Sequence, residues 1–498
     1  MSAMNKPMRS VRLAEAVPLS LVTDWLSAHL PQGCGSEMVQ GVSTDTRTLQ
    51  PGDLFIALRG AQFDAHEFLE DVREAGAVAA VVEAGHPVLS SPALDGWPLI
   101  VCDDTRHALG VLGQAWRERY QLTVVAITGS NGKTTTKELI SHLFRATAGE
   151  EAVLSTLGNF NNEIGLPLTL LRLGPQHCYA VIELGMSHPG EIAALAQLAE
   201  PSITVVTNAQ RAHLAGMGSL ATVAEEKGSL FDALPEGGTA IVNLDDPHAP
   251  SWLKRIRAGR RVFGTTVGVQ AIADAAVAAA PAFAITSIEA AAGSTAQTLI
   301  VQTPAGEMTV SLPLAGIHNA SNAVQAMAAG YAAGLDVVQM ADALSTFGGV
   351  AGRLQQKHGV AGAVVIDDTY NANPDSMRAA INVLTTNASD IDTVLVIGDM
   401  GEVGPEAAAL HAEIGRYAAE QGVGALYAVG PLSVSAVAAY GNVFPQTAKH
   451  FKTQEELVAA LRPTLSKRSR VLVKGSRSAR MENVVNALVE PMQKHAQE

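Results

Sequence analysis

Cysteine, aromatic residues and charge are all scarce in this chain. Its three cysteines, Cys34, Cys102 and Cys178, are odd in number and far apart, so neither a disulfide framework nor a CxxC zinc or redox site is expected, and they read as free, buried thiols. Phe, Trp and Tyr make up 4% of the residues, too few for a surface on which bases stack. Basic side chains number 34 against 48 acidic, a formal charge of -14; the resulting field repels polyanions, so nucleic acid is not an expected partner. No run of about 18 apolar residues occurs, and the N-terminal stretch lacks the basic, apolar and cleavage regions of a secretory signal. Membrane insertion is therefore not expected, and a cytoplasmic location is.

What is present is the composition of a folded enzyme-sized chain. Apolar residues reach 47% against 16% charged, which is globular usage. At roughly 100–200 residues per domain, 498 residues divide into about three. No long exposed apolar heptad pattern is visible, so a monomer is expected.

Turn signals and periodicity give the division. In 1–119, Leu54–Leu58 follows Pro51-Gly52-Asp53 and Val78–Val82 follows Gly76, both as strands behind turns, and Ala108–Tyr120 has helical spacing: a small α/β domain. In 120–347, apolar runs at Thr123–Ile127, Tyr179–Leu184, Ile203–Thr207 and Ala240–Asn243 alternate with helices, the pattern of a mostly parallel sheet of the phosphate-loop type with helices on both faces. The Ala-rich stretch 270–300 favours helix by propensity, yet Gly268, Pro281 and Gly293 punctuate it. Phe283–Thr286 and Leu299–Val301 read better as strands of a small appended sheet. In 348–498, after Gly348-Gly349, strands at Val364–Asp367, Thr393–Ile397, Ala425–Val429 and Val471–Lys474 each end in a Gly- or Asp-bearing loop. That is a Rossmann-like α/β domain presenting its strand ends to a cleft.

The sharpest motif is Thr128-Gly129-Ser130-Asn131-Gly132-Lys133-Thr134-Thr135, between a strand and a helix whose Leu139, Ile140, Leu143 and Phe144 form an apolar stripe. Glycines let backbone N–H groups close around phosphate oxygens, the helix N-terminus adds positive potential and Lys133 adds a full charge, while Thr134 offers a hydroxyl to a metal ion. The common longer spacing would need glycine where Ile127 stands; the match is to a shorter G-x-x-G-K-T form. A solvated Gly-rich turn is the bland alternative, and the strand–loop–helix order argues against it.

With Gly158–Pro167 downstream, this loop resembles that of the Mur ligase family, which builds the peptide stem of peptidoglycan; the resemblance covers the whole chain. Ser43-Thr44-Asp45-Thr46-Arg47 through Phe55 to His66 is similar to a uridine-nucleotide-binding region of the family. Asp367–Ser376 and Gly398–Glu402 resemble members that add D-alanyl-D-alanine. The Tyr-Ala-His-Thr-Pro and Asn-Pro-Arg runs of members that add the third residue are absent.

The resemblance implies that ATP phosphorylates the terminal carboxylate of UDP-MurNAc-tripeptide, whose third residue is meso-diaminopimelate or lysine, and that the amine of D-alanyl-D-alanine then displaces phosphate. It implies Mg²⁺ held by Thr134, Glu183, His213 and a carbamylated Lys227. Asn319, Arg353, Asp368 and Asn371 would contact ATP together with the 129–135 loop. Ser43, Thr44, Asp45, Arg47, His66, Asn161, Asn162 and Ser187 would contact the UDP-substrate, and Lys474 and Arg477 the dipeptide's carboxylate. From position alone, Glu183 could instead be a loop acid, His213 a satisfied polar residue, Lys227 half of a helical charge pair, Asn319 a helix cap and Lys474-Arg477 a solvated turn. Two rivals stand beside this reading. A folylpolyglutamate synthetase shares the loop without the uridine-binding domain, and a regulatory or transport ATPase would need no amino-acid acceptor.

Overall fold

The structure, a computed structural model, describes residues 10–29, 34–60, 63–268, 282–290 and 296–490. Among them the strands fall into three sheets of five, nine and six. The first holds β1 (Val11–Pro18), β2 (Met38–Ser43), β3 (Asp53–Ile56), β4 (Ala79–Glu83) and β5 (Leu99–Cys102) in chain order, β1 antiparallel to β2 and the rest parallel. The helix Thr105–Arg117 follows, its first turn capped by Asp104 and its Leu109, Leu112 and Trp116 buried. A side chain at Gly113 would meet the Pro167 backbone at 2.7 Å. Glycine thus lets this helix lie against the central domain, which brings its N-terminal end to the cleft.

The nine-stranded sheet comprises β6 (Thr123–Thr128), β7 (Val153–Ser155), β8 (Tyr179–Glu183), β9 (Ile203–Val206), β10 (Thr239–Asn243), β11 (Arg261–Val267), β12 (Ala282–Ala290), β13 (Gln297–Thr303) and β14 (Gly306–Leu312), in the order β14-β13-β12-β11-β10-β9-β6-β8-β7. β6 stands between β8 and β9, where connections leave to opposite sides, the place where open α/β sheets form a binding crevice. On one face the helices Lys133–Ala148 and Ile317–Ala332 pack together. Leu139, Ile140, Leu143 and Phe144 of the former are all buried, each contributing roughly 1.5–3 kcal/mol, so the loop at its N-terminus rests on an anchored helix.

The third sheet runs β15-β16-β20-β17-β18-β19, from β15 (Gln355–His358), β16 (Val364–Asp368), β17 (Asp392–Ile397), β18 (Ala425–Val429), β19 (Ala448–Phe451) and β20 (Ser469–Lys474). Only β15 is antiparallel, and apolar clusters cover both faces.

Two expectations need correction. The strands foreseen in 282–303 exist, but they and β14 extend the central sheet by parallel pairing to β11 and then antiparallel pairing, so there is no separate appended sheet. Pro281 and Gly293 lie outside the described residues. The cysteines are free but not buried: Cys34 and Cys102 are half-buried and Cys178 is exposed, because each sits at an element end or loop rather than in a core.

Candidate active site

The Thr128–Thr135 loop leaves the carboxyl end of β6, and register fixes what stands beside it. Ile127 pairs with Glu183 across β6 and β8, so the Glu183 side chain arises level with the loop's start. Thr134 Oγ1 donates to Glu183 Oε2 at 2.9 Å, and Asn161 Nδ2 donates to Glu183 Oε1 at 2.8 Å. A Cβ on Gly129 would stand 1.7 Å from Thr207 Oγ1, and one on Gly132, where φ is 84°, 2.4 Å from Asn322 Oδ1. These two positions therefore demand glycine both by space and by conformation, φ being 152° at Gly129. Lys133 Nζ folds onto the carbonyl of Gly129 at 2.7 Å. Loss of hydration lowers its pKa, against the opposing pull of Glu183.

The segment after β9 braces the loop from behind. Thr207 Oγ1 donates to the Asn131 carbonyl at 2.6 Å, the Asn131 N–H donates to Asn208 Oδ1 at 2.9 Å, and Ser130 and Gln210 exchange hydrogen bonds. The same segment reaches the third domain. Arg211 pairs with Asp375 at 2.6 Å and Glu413 at 2.9 Å, and His213 Nδ1 lies 2.6 Å from Glu402 Oε2. Glu402 has its pKa lowered by that contact first.

From the third domain Arg353 Nη2 donates to Thr134 Oγ1 at 3.0 Å, while its guanidinium lies 4.0 Å over the Tyr370 ring. Strand ends of β16, β17 and β20 supply Tyr370, Asn371, Glu402, Lys474, Ser476 and Arg477 to a cavity of about 1180 Å³. Its other walls are the phosphate loop, Asn161, Asn162, Ser187 and His213, and Asp104, Arg106 and His107 of the first domain.

Lys227 is 1% exposed, and its Nζ makes no hydrogen bond or ion pair among the described residues. Its neighbour Glu226 is engaged elsewhere, accepting from the Gly190 and Ile192 N–H groups at 2.8 Å, so no helical charge pair forms. Burial, and then the like charge of Lys133, hold the Lys227 amine well below the usual lysine range.

Of the residues foreseen from sequence, Gly132, Ser130, Asn131, Lys133, Glu183, Asn161, Asn162, Ser187, His213, Arg353, Asn371, Lys474 and Arg477 line this one cavity. Thr134 lies buried beside it, joined to Glu183, and Thr135 is buried behind the loop. Lys474 is engaged, its Nζ donating to Asp368 Oδ2 at 2.6 Å and to the Asn371 carbonyl at 2.8 Å; Arg477 pairs with Glu482 at 2.9 Å. Asn319 and Asp368 are buried outside the lining, Asn319 donating to the Ala315 carbonyl.

Ser43, which ends β2, and Thr44, Asp45 and Arg47 after it lie outside the cavity lining, with Asp45 and Arg47 paired at 2.6 Å. His66 is fully buried: its Nε2 accepts from the Glu83 N–H at 3.0 Å, so its Nδ1 carries the proton and donates to Asp64 at 2.7 Å. His86 likewise accepts at Nδ1 from Val88 N–H and turns Nε2 toward Asp64, 3.4 Å away. The Asp64, His66 and His86 cluster thus presents N–H groups rather than lone pairs, and is a hydrogen-bonded carboxylate instead of a metal cage.

Sequence reasoning gave no role to Asn208, Gln210, Arg211 and Glu413, and quoted Tyr370, Asn373, Asp375 and Glu402 only within the segments Asp367–Ser376 and Gly398–Glu402 that carry the resemblance, without naming them as site residues. Asn373 also carried a local signal, the helix-start pattern Asn373-Pro374-Asp375-Ser376; Asn208, Gln210, Arg211 and Glu413 act through partners remote in sequence.

A phosphate loop at a sheet switch point, an adjoining hydroxyl and carboxylate, and an arginine brought by a following α/β domain define a nucleotide-dependent ligase of three domains. Residues 38–117, 127–330 and 352–477 match the Mur ligase family catalytic domain, the Mur ligase middle domain and the Mur ligase glutamate ligase domain, and the chain belongs to the Mur ligase family. Over 95% of this chain and 99% of the relative it is 39% identical to UDP-N-acetylmuramoyl-tripeptide--D-alanyl-D-alanine ligase of Escherichia coli (strain K12). The enzyme of the same name from Bacillus subtilis (strain 168) is 33% identical over 91% and 94%. MurF from Acinetobacter baumannii superposes with a TM-score of 0.83 at 31% identity, over 96% and 99% of the two chains. MurF from Thermotoga maritima in complex with ADP shares the fold, with a TM-score of 0.74 at 23% identity over 90% and 96%.

Proposed function

We propose that this chain joins D-alanyl-D-alanine to UDP-N-acetylmuramoyl-tripeptide with ATP, through an acyl phosphate, releasing ADP and phosphate. The observation that carries it is the convergence of the phosphate loop, the Thr134, Glu183 and Arg353 triangle and the third sheet's strand ends on one cavity. In this reading residues 1–119 bind the UDP moiety, 120–347 bind ATP, and 348–498 close on ATP and receive the dipeptide.

The loop N–H groups and Lys133 hold the phosphates, and Arg353 approaches them from the opposite side. The tripeptide's terminal carboxylate takes the γ-phosphoryl group, which turns a poor leaving group into a good one. The dipeptide amine then attacks the acyl carbon and phosphate departs; most of the protein's contribution is charge neutralisation and alignment. Lys474 and Arg477 line the cavity, and in this reading they would meet the dipeptide's carboxylate once they exchange part of their present contacts with Asp368 and Glu482.

Magnesium suits the donor set on chemical grounds, since Thr134 Oγ1 and the Glu183 carboxylate are hard oxygens held 2.9 Å apart. Thr134, Glu183 and His213, with Lys227 once carbamylated, would hold it, and bound there it neutralises phosphate charge. The unpartnered buried amine of Lys227 supports the carbamate, because a carboxylate there would give the site a further anionic donor. The enzyme acts as a cytoplasmic monomer in this reading.

The test is phosphate release from ATP and Mg²⁺ with UDP-MurNAc-tripeptide of either third residue. D-alanyl-D-alanine, meso-diaminopimelate and glutamate are compared as acceptors. Release that requires the dipeptide is the expected result. Release with another acceptor would move the substrate, and acceptor-independent release would overturn the ligase reading.

A further inference from the structure

The helix Pro374–Thr385 of the third domain begins beside the phosphate loop, and its cap faces two ways. Asn373 Oδ1 accepts from the Ser376 N–H at 2.9 Å, while Ser376 Oγ accepts from the Asn373 N–H at 3.0 Å, a complete capping box. The same Asn373 side chain forms a reciprocal amide pair with Asn131. Its Nδ2 donates to Asn131 Oδ1 at 2.8 Å, and Asn131 Nδ2 lies 3.3 Å from Asn373 Oδ1. The two residues are 242 positions apart. Both line the cavity.

Asn131 is the residue on which the loop's shape turns. Its backbone is held from behind by Thr207 and Asn208, but among the described residues its side chain has only Gln210, at 2.6 Å, and Asn373. Without Asn373, Asn131 Oδ1 loses its donor, and the side chain is free to turn about its one remaining bond, the one to Gln210. Peptide planes on either side of Asn131 belong to the N–H cradle between Gly129 and Lys133, so with its side chain unlocked the cradle is held from behind alone and loses its hold on the cavity side.

We propose that Asn373 is a positioning residue for phosphoryl transfer: its amide reaches across from the third domain, locks Asn131, and so gives the phosphate loop its working shape only when the two domains are together. The inference rests on reading Thr128–Thr135 as the ATP phosphate loop. The roles within Asn373 are separable, because serine is as good a helix cap as asparagine yet is too short to pair with Asn131.

The experiment uses the full chain with ATP, Mg²⁺, UDP-MurNAc-tripeptide and D-alanyl-D-alanine, comparing wild type, Asn373→Ser, Asn131→Ala and the double variant, with thermal midpoints alongside. Expected is a kcat about tenfold lower in Asn373→Ser, the worth of roughly one amide pair, with KM for the dipeptide unchanged and the double variant no slower than Asn131→Ala alone. Asn373→Thr, a second capping residue, must behave as the serine variant does, and replaces it if that one melts early. An unchanged kcat in the capping variants overturns the proposal, as do effects of the two sites that simply multiply. Wild-type enzyme without dipeptide-dependent phosphate release would instead overturn the ligase reading itself.

Discussion

At the scale of single residues, the buried Lys227 and the half-buried His318 carry consequences for pH. The Lys227 amine, held well below the usual lysine range by burial, is neutral at pH values where a surface lysine is charged. A neutral amine can attack carbon dioxide: the Nζ–C bond forms, a proton leaves, and a carbamate remains. Because the neutral fraction grows as pH rises through the lowered pKa, the carbamate should form at lower pH than on a free lysine. With ¹³C-bicarbonate, wild type should show a carbamate carbon resonance that Lys227→Ala lacks, and the variant's kcat should fall by about a hundredfold; identical spectra would remove the carbamate. His318, at the start of the helix Ile317–Ala332, is pushed down to about 4, by loss of hydration before any charge effect. Between about 4 and about 6.5 the unfolded chain takes a proton that the folded chain refuses, so stability falls with falling pH in that window, by up to roughly 3 kcal/mol. His318→Gln should shrink the difference between urea midpoints at pH 7.5 and pH 5; an unaltered difference would assign the slope to other groups.

At the scale of elements, the phosphate loop is a strand–loop–helix whose bends are imposed by its neighbours. Gly129 passes so close to Thr207 that any side chain there collides with a hydroxyl already bonded to Asn131. Gly129→Ala should therefore weaken ATP binding about tenfold to a hundredfold, the usual 1–3 kcal/mol of overpacking, read by calorimetry. The far-ultraviolet dichroism should stay unchanged, since the helix Lys133–Ala148 is anchored by its own apolar face. Wild-type affinity in that variant would mean the loop relaxes without cost. The segment from Thr207 to His213 was legible only as a strand end followed by a histidine. Its work, bracing the loop on one side and gripping the third domain on the other, depends on side chains whose partners are elsewhere in the chain.

At the scale of the whole molecule, the central and third domains are joined across the cavity by Arg211, Arg353, His213 and Asn131. Arg211 bridges two carboxylates, a charge-assisted geometry stronger than an ordinary surface pair. In Arg211→Ala, Asp375 loses that partner and Glu413 retains, among the described residues, only Arg378 at 3.4 Å. Small-angle scattering of the ligand-free variant should give a larger radius of gyration than wild type, and ATP with the UDP-substrate should reduce it. Equal radii would show that the other contacts suffice to hold the domains together.

The parallel strands of the central and third domains and the phosphate loop could be read from local pattern: apolar runs of strand length, a stripe every third or fourth residue, glycines ahead of a lysine at a helix start. Beyond the loop, the lining residues foreseen, Asn161, Asn162, Glu183, Ser187, His213, Arg353, Asn371, Lys474 and Arg477, came from the family resemblance, and the larger part of the lining was not foreseen. The polar edge strands β15 and β19 escaped that reading, since Gln355–His358 and Ala448–Phe451 have no apolar run to mark them. Antiparallel addition of β13 and β14 to the central sheet escaped it too, because pairing partners are not written into a strand. Tertiary structure alone decided that His66 is buried with both ring nitrogens engaged, that Lys474 is paired with Asp368, that the buried Lys227 amine has no hydrogen-bond partner among the described residues, and that Asn131 meets Asn373. Each of these is a relation between groups brought together from distant parts of the chain. Such relations are set by packing, where residue type and local spacing carry no information.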